Sequence, residues 1–203
     1  MKKTIAIATA AAALTLAGAV LPTQASAAKV KFGSALDSTV APVGALPAFP
    51  CDWGDPSVKC TAVQNEPYGR PGGTEAPVSG TLKKVRVIAA APGSFTLQMV
   101  KTKSFGGVLQ TKVKSVGPTF HYNGQTPDNW SSGVFLRESF PVNMPIKRGW
   151  RLAMKTTNNP VRRCSGGGPN TLVHYPGLQL GWGFTPAAGT DGCYLLIEGV
   201  IQY

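Results

Sequence analysis

Between residues 81 and 89 the side chains alternate in character, with Val85 and Val87 on one parity and Lys84 and Arg86 on the other. A period of two sends successive side chains to opposite faces of an extended chain, so this segment predicts a half-buried β-strand. Residues 94–101 repeat the pattern, setting Phe95, Leu97 and Met99 against Thr96 and Gln98. Ala91-Pro92-Gly93 between them is turn chemistry, and the two strands read as a hairpin. Residues 108–116 place Leu109 and Val113 inward and Lys112 and Lys114 outward. Residues 133–142 form a Val/Phe/Leu-rich run broken by Arg137 and Glu138, and residues 150–156 alternate Leu152 and Met154 with Arg151, Ala153 and Lys155. Segments 171–175 and 178–184 flank Pro176-Gly177. The last stretch, 194–203, is apolar on both parities with Gly199 its one breaker, the mark of a central strand covered on both faces.

About eight strands separated by turns predict an all-β fold, an antiparallel β-sandwich of jelly-roll-like topology, with a closed barrel as the alternative. Gly and Pro supply 41 of the 203 residues, and no window after the first 28 keeps a 3.6-residue apolar period for ten residues. Very little helix is expected. Residues 30–50 read as an extended arm able to add an edge strand, so the organisation expected is 1–28 export segment, 29–59 arm and small cystine loop, and 60–203 sandwich.

The export reading comes from Lys2 and Lys3, the uncharged apolar run that follows them, and Ala25-x-Ala27 or Ser26-x-Ala28 as a small-residue cleavage site. The expected product is secreted, soluble or associated with the cell surface, without an integral membrane segment. Without Lys2 and Lys3 the chain keeps 18 basic side chains against 9 acidic ones, a net charge of +9. Polyanions are natural partners for such a surface.

Cys51, Cys60, Cys164 and Cys193 all follow the export segment, and an even number in an oxidising compartment predicts disulfides. Three pairings are open. Cys51 with Cys60, bracketing a turn-rich stretch, and Cys164 with Cys193, closing a Gly-rich excursion, are favoured. A zinc site is the rival use of four cysteines, disfavoured by compartment and by the lack of a CxxC pair.

The stretch Cys60-Thr61-Ala62-Val63-Gln64, the Pro77-Val78-Ser79-Gly80 turn opening a basic strand, and Pro145-Ile146-Lys147-Arg148-Gly149 resemble a group of secreted actinobacterial proteins of unknown function. Trp150 stands where that group usually has Asp. The resemblance spans roughly residues 60–203 and implies a sandwich of the kind also used by carbohydrate-binding modules. It implies no activity.

Catalytic chemistry is thinly provided. A serine nucleophile needs a histidine base, and the two histidines, His121 and His174, accompany no G-x-S-x-G. Among nine scattered acids only Glu138 and Glu198 fall in predicted strands, so a hydrolase reading rests on that pair. Asp52 and Asp55 offer two calcium ligands, which turn formation explains equally well. No cofactor and no metal are expected. Binding chemistry is better represented. Lys84, Arg86, Lys112 and Lys114 would line up as a positive stripe if their strands share a sheet, and Trp130 and Trp53 sit in turn-rich segments where a flat ring stacks on sugar. Arg162-Arg163 before a Gly-rich run is a candidate anion nest. The expectation is a non-enzymatic module for envelope polysaccharide or another polyanion. A cell-surface structural or protein-interaction domain is the alternative, and nucleic acid is not expected as a specific ligand.

Overall fold

The computed structural model describes residues 27–42, 59–70, 73–157, 161–164 and 168–203. Residues 1–26, the bulk of the expected export segment, and residues 43–58, with Cys51, Asp52, Trp53 and Asp55, lie outside them, so the expected Cys51–Cys60 pairing does too. Two antiparallel sheets face each other. The smaller holds β1 (Lys29–Gly33), β3 (Gly80–Val87), β6 (Glu138–Ile146) and β13 (Ile197–Gln202) in the order β1-β13-β3-β6. The larger holds β2 (Cys60–Gln64), β4 (Gly93–Phe105), β5 (Val108–Tyr122), β7 (Arg151–Thr156), β9 (Thr171–His174), β10 (Thr185–Pro186) and β11 (Gly189–Asp191) in the order β10-β5-β4-β7-β2-β9-β11. β8 (Arg162–Cys164) and β12 (Cys193–Leu195) pair separately, and α1 (Pro127–Ser132) is a six-residue helix between β5 and β6. The all-β sandwich and the scarcity of helix are as expected, but the strands outnumber the predicted eight.

The core lies where inward parities meet. Phe32, Leu82, Val85, Val87, Ile197 and Ile201 descend from the smaller sheet onto Phe95, Leu97, Met99, Leu152 and Met154 of the larger, all nearly inaccessible. Phe95 touches the rings of Phe120 and Tyr122 on the neighbouring β5 and that of Phe140 across the two layers. β1 adds the edge strand expected of the arm, and β13 is interior to its sheet as its composition implied. The other edge, β6, carries Pro141 and Pro145 outward, and a residue without an N–H suits a strand edge facing solvent.

Several expectations fail, each where the chain's path departs from its local pattern. Residues 81–89 and 94–101 are not a hairpin: β3 bonds to β13 and β6, β4 bonds to β5 and β7, and residues 88–92 carry the chain from one layer to the other. Both strands turn apolar parity to the same core, but from opposite sides. Residues 178–184 are not a strand either. They lead from 175–177 to the edge strand β10, and Leu178 packs on the face of the larger sheet turned away from the sandwich core, with Val63, Val100, Val113 and Ala153 in a second apolar cluster. Gln98, on the polar parity of its strand, is therefore buried, donating to the Leu178 carbonyl at 3.1 Å while Thr61 Oγ1 donates to its Oε1. Residues 133–137 likewise stay out of β6, because α1 ends at Gly133 in a left-handed cap.

Gly199 shows how tightly the layers meet. It pairs with Phe32 across β1 and β13, and a Cβ there would lie within 3.0 Å of both Phe32 and Leu82. Gly199→Val is expected to cost about 2 kcal/mol by overpacking, read as a fall of several degrees in the thermal midpoint. An unchanged midpoint would show that the Phe32 ring is free to move aside.

Candidate polyanion-binding face

The outward parity of the smaller sheet is strongly cationic. In β1 the alternation places Phe32 in the core and Lys29 and Lys31 outside. In β3 the pairing shifts between Leu82 and Lys84, a bulge that leaves Leu82 and Val85 both buried and presents Lys83 and Lys84 together to solvent. Register then aligns them. Lys31 lies opposite Val200, which lies opposite Lys84; Lys29 lies opposite Gln202; Glu198 lies opposite Arg86. Lys29, Lys83, Lys84, Arg86, Val200 and Gln202 line a cleft of about 450 Å³ on this face.

One carboxylate answers these charges. Glu198, 2% exposed, accepts from Arg86 Nη1 at 2.8 Å and from Arg70 Nη2 at 3.1 Å. The clamp holds both guanidinium groups in place and still carries one excess positive charge. Lys83 Nζ donates to Asn143 Oδ1 at 2.6 Å, and among the described residues no carboxylate is within ion-pairing distance of Lys29, Lys31, Lys83 or Lys84. Strand spacing and residue rise set these cations roughly 5–10 Å apart, a spacing suited to repeated anionic groups along a polymer.

The four-residue stripe expected from the sequence is not assembled. Lys84 and Arg86 belong to this face, whereas Lys112 and Lys114 lie on β5 of the other sheet. Trp130 is half-exposed on α1 with its ring edge-on to Phe135 at 5.3 Å, beside a separate cleft lined by Asp37, Asn129, Phe135 and Arg137 that shares no residue with the cationic one. Glu138 pairs with Val87 and Glu198 with Arg86, neighbouring positions of β3 that face opposite sides of the sheet. Glu138 accepts the backbone N–H groups of Asn123 and Gly124 at its end of the strand. These two carboxylates therefore cannot flank one glycosidic bond.

The remaining candidates are absorbed by the fold. His121 is exposed on β5, and His174 is buried between β10 and β5. Arg162 binds Asp191 at 3.2 Å, and Arg163 donates to the Ala41 carbonyl and lies over the Tyr68 ring. Cys164 and Cys193 form the predicted disulfide, joining directly opposite residues of β8 and β12. Asp191 lies beside them, but sulfurs bonded to each other offer no thiolate to a metal. Cys60 is also a half-cystine.

Sequence reasoning missed Lys29, Lys31, Lys83 and Arg70. The Lys29-Val30-Lys31-Phe32 alternation was a readable sign of the first two. Lys83 faces outward through a bulge, and Arg70 reaches Glu198 from the loop after β2; neither is visible in a local pattern. No protein-family model, curated protein or solved structure matches this chain.

Proposed function

We propose that this chain is an exported, non-enzymatic binding module that holds an anionic polymer, such as an acidic envelope glycan, against the outer face of its smaller sheet. The observation that carries the reading is the charge count there: Lys29, Lys31, Lys83, Lys84, Arg70 and Arg86, with Glu198 as the one acid among them in the described residues. The face is open and built on paired strands, so long-range attraction and repeated weak contacts do the holding rather than an enclosed pocket. The Cys164–Cys193 disulfide fits an oxidising compartment, which agrees with the leader-like first 28 residues.

Chromatography on immobilised dextran sulfate and on neutral dextran tests it. Retention is expected on the sulfated matrix alone and is expected to fall steeply with salt. The K29Q/K31Q/K83Q/K84Q variant should elute at markedly lower salt, its log–log salt slope reduced by about 3–4 if each lysine displaces a counterion as on nucleic acid. Equal retention on both matrices, or an unshifted variant, would retire the reading.

A further inference from the structure

The connection between β4 and β5 is a long two-stranded hairpin whose tip extends past the sandwich. Phe105 is 70% exposed and Val108 49%, and they face each other across the Gly106-Gly107 turn. Both glycines have positive φ, as a two-residue hairpin turn of the primed kind requires, and a Cβ on either would meet nothing within 4 Å. The tip is thus a convex apolar point standing in open space.

Behind the tip the charge is all of one sign. Lys103 is one step back on the parity of Phe105, and Lys101 is two steps back, directly opposite Lys112; Lys114 follows on β5. Lys103 Nζ lies 4.3 Å from the centre of the Phe184 ring and 5.7 Å from that of Phe105, so it bridges the tip to the segment that flanks β5. No Asp or Glu occurs between Glu75 and Asp128, nor between residues 176 and 190, so both segments that build this end lack acidic residues. None of the four lysines has an ion-pair partner among the described residues.

We infer that this hairpin docks the protein on an anionic lipid bilayer, Phe105 and Val108 entering the headgroup–acyl boundary while Lys101, Lys103, Lys112 and Lys114 engage lipid phosphates. The dimensions agree. Each two-residue step along a strand is roughly 7 Å, so with the apolar pair sunk about 5–10 Å, Lys103 sits at headgroup depth, Lys101 and Lys112 reach toward phosphate from one step above, and Lys114, about three steps from the tip, adds longer-range attraction. A protruding point with two apolar side chains fits a deformable surface better than it fits a rigid partner, which needs a broader complementary patch. This surface is separate from the cationic face of the smaller sheet, and the inference does not depend on polymer binding there.

Vesicle flotation with the intact disulfide-bonded protein tests it, using phosphatidylcholine vesicles with and without about one third phosphatidylglycerol. The wild-type chain should float with the anionic vesicles and not with the neutral ones. F105S/V108S should weaken that binding by about tenfold or more, from the apolar area no longer buried. K101Q/K103Q/K112Q/K114Q should weaken it by about a hundredfold at low salt. The sheet variant K29Q/K31Q/K83Q/K84Q should change it by less than about threefold, since those charges lie away from the tip. Because Phe105 and Val108 are solvent-exposed, their replacement should leave the urea midpoint in place, and that midpoint is measured alongside. The inference is overturned if the wild-type protein stays with the unbound fraction, if neutral vesicles bind it equally, or if F105S/V108S floats as well as the parent. It is overturned too if the sheet variant alone abolishes binding, which would assign lipid to the other face.

Discussion

Replacing both Cys164 and Cys193 by serine is expected to lower stability by about 3.5 kcal/mol, the chain entropy released when a loop of this length is no longer closed. The two cysteines are 29 positions apart, and the excursion between them contains β9, the segment covering the larger sheet, β10 and β11. Several hydrogen bonds close the same loop from within. Asn170 Nδ2 donates to the Gly192 carbonyl at 2.8 Å, and Thr171 Oγ1 donates to that of Cys193 at 2.7 Å. Urea denaturation separates the two contributions. A midpoint lower by about 1 M or more, with an m value that rises as the released denatured chain expands, is the expected result. A midpoint equal to that of the parent would mean that these bonds and the Arg162–Asp191 pair hold the excursion without the cystine.

Acidification is expected to remove a comparable amount of stability through a single side chain. His174 is 1% exposed, and burial lowers its pKa from the ordinary 6.5 to about 4. Its Nδ1 lies 3.1 Å from the Pro186 carbonyl, which can only accept, so Nδ1 carries the proton; Nε2, at 3.0 Å, accepts from Thr111 Oγ1. Because the unfolded histidine binds a proton more readily than the folded one, stability is full above about pH 6.5 and declines until about pH 4. The loss approaches about 3 kcal/mol. Asp37 acts in the same direction at lower pH, its carboxylate held below the usual value by the hydroxyl and N–H of Thr39. H174Q keeps a donor and an acceptor but cannot titrate, so its stability should stay flat between pH 6.5 and pH 4.5. A parent protein equally flat over that range would show that His174 already titrates near its unfolded value. The histidine links the end of β9 to β10 and β5, so its protonation should loosen the cover over the larger sheet first.

β3, β4, β7 and β13 were legible because their alternation or their continuous apolar character survives in the fold. β2 was not. All five of its residues are buried, yet Thr61 and Gln64 are polar and no alternation marks the segment. The Thr61 hydroxyl and the Gln64 amide nitrogen find their partners in distant parts of the chain, while Gln64 Oε1 is buried without one. Thr61 Oγ1 donates to Gln98 and accepts from the Leu178 N–H, and Gln64 Nε2 donates to Ser34 Oγ and the Leu195 carbonyl. A buried polar side chain is recognisable only once its partners are in place. β9 falls within the expected segment 171–175, but β8 and β11 were hidden for a related reason: three-residue strands carry too little pattern to stand out from the turns around them.

The candidate sites divide in the same way. Lys84 and Arg86 were assigned the correct side of their strand, and so were Lys112 and Lys114, but not a common sheet. The cationic face needed Lys29 and Lys31, brought in by a strand that pairs with the far end of the chain, and Lys83, turned outward by a bulge.

From sequence alone came the parity of the long strands, the all-β class, the expectation of disulfides with Cys164–Cys193 as a favoured pair, and a run from residue 76 to 127 without one acidic group. These follow from covalent geometry and composition, since alternate side chains of any extended chain diverge and charges can be counted. Tertiary structure alone decided which strands are neighbours, which polar parity is covered by the segment around Leu178, and which lysines share a surface. Backbone hydrogen bonds between strands are chemically alike for every pair, so adjacency is chosen by the packing of the whole core and not by any local stretch of residues.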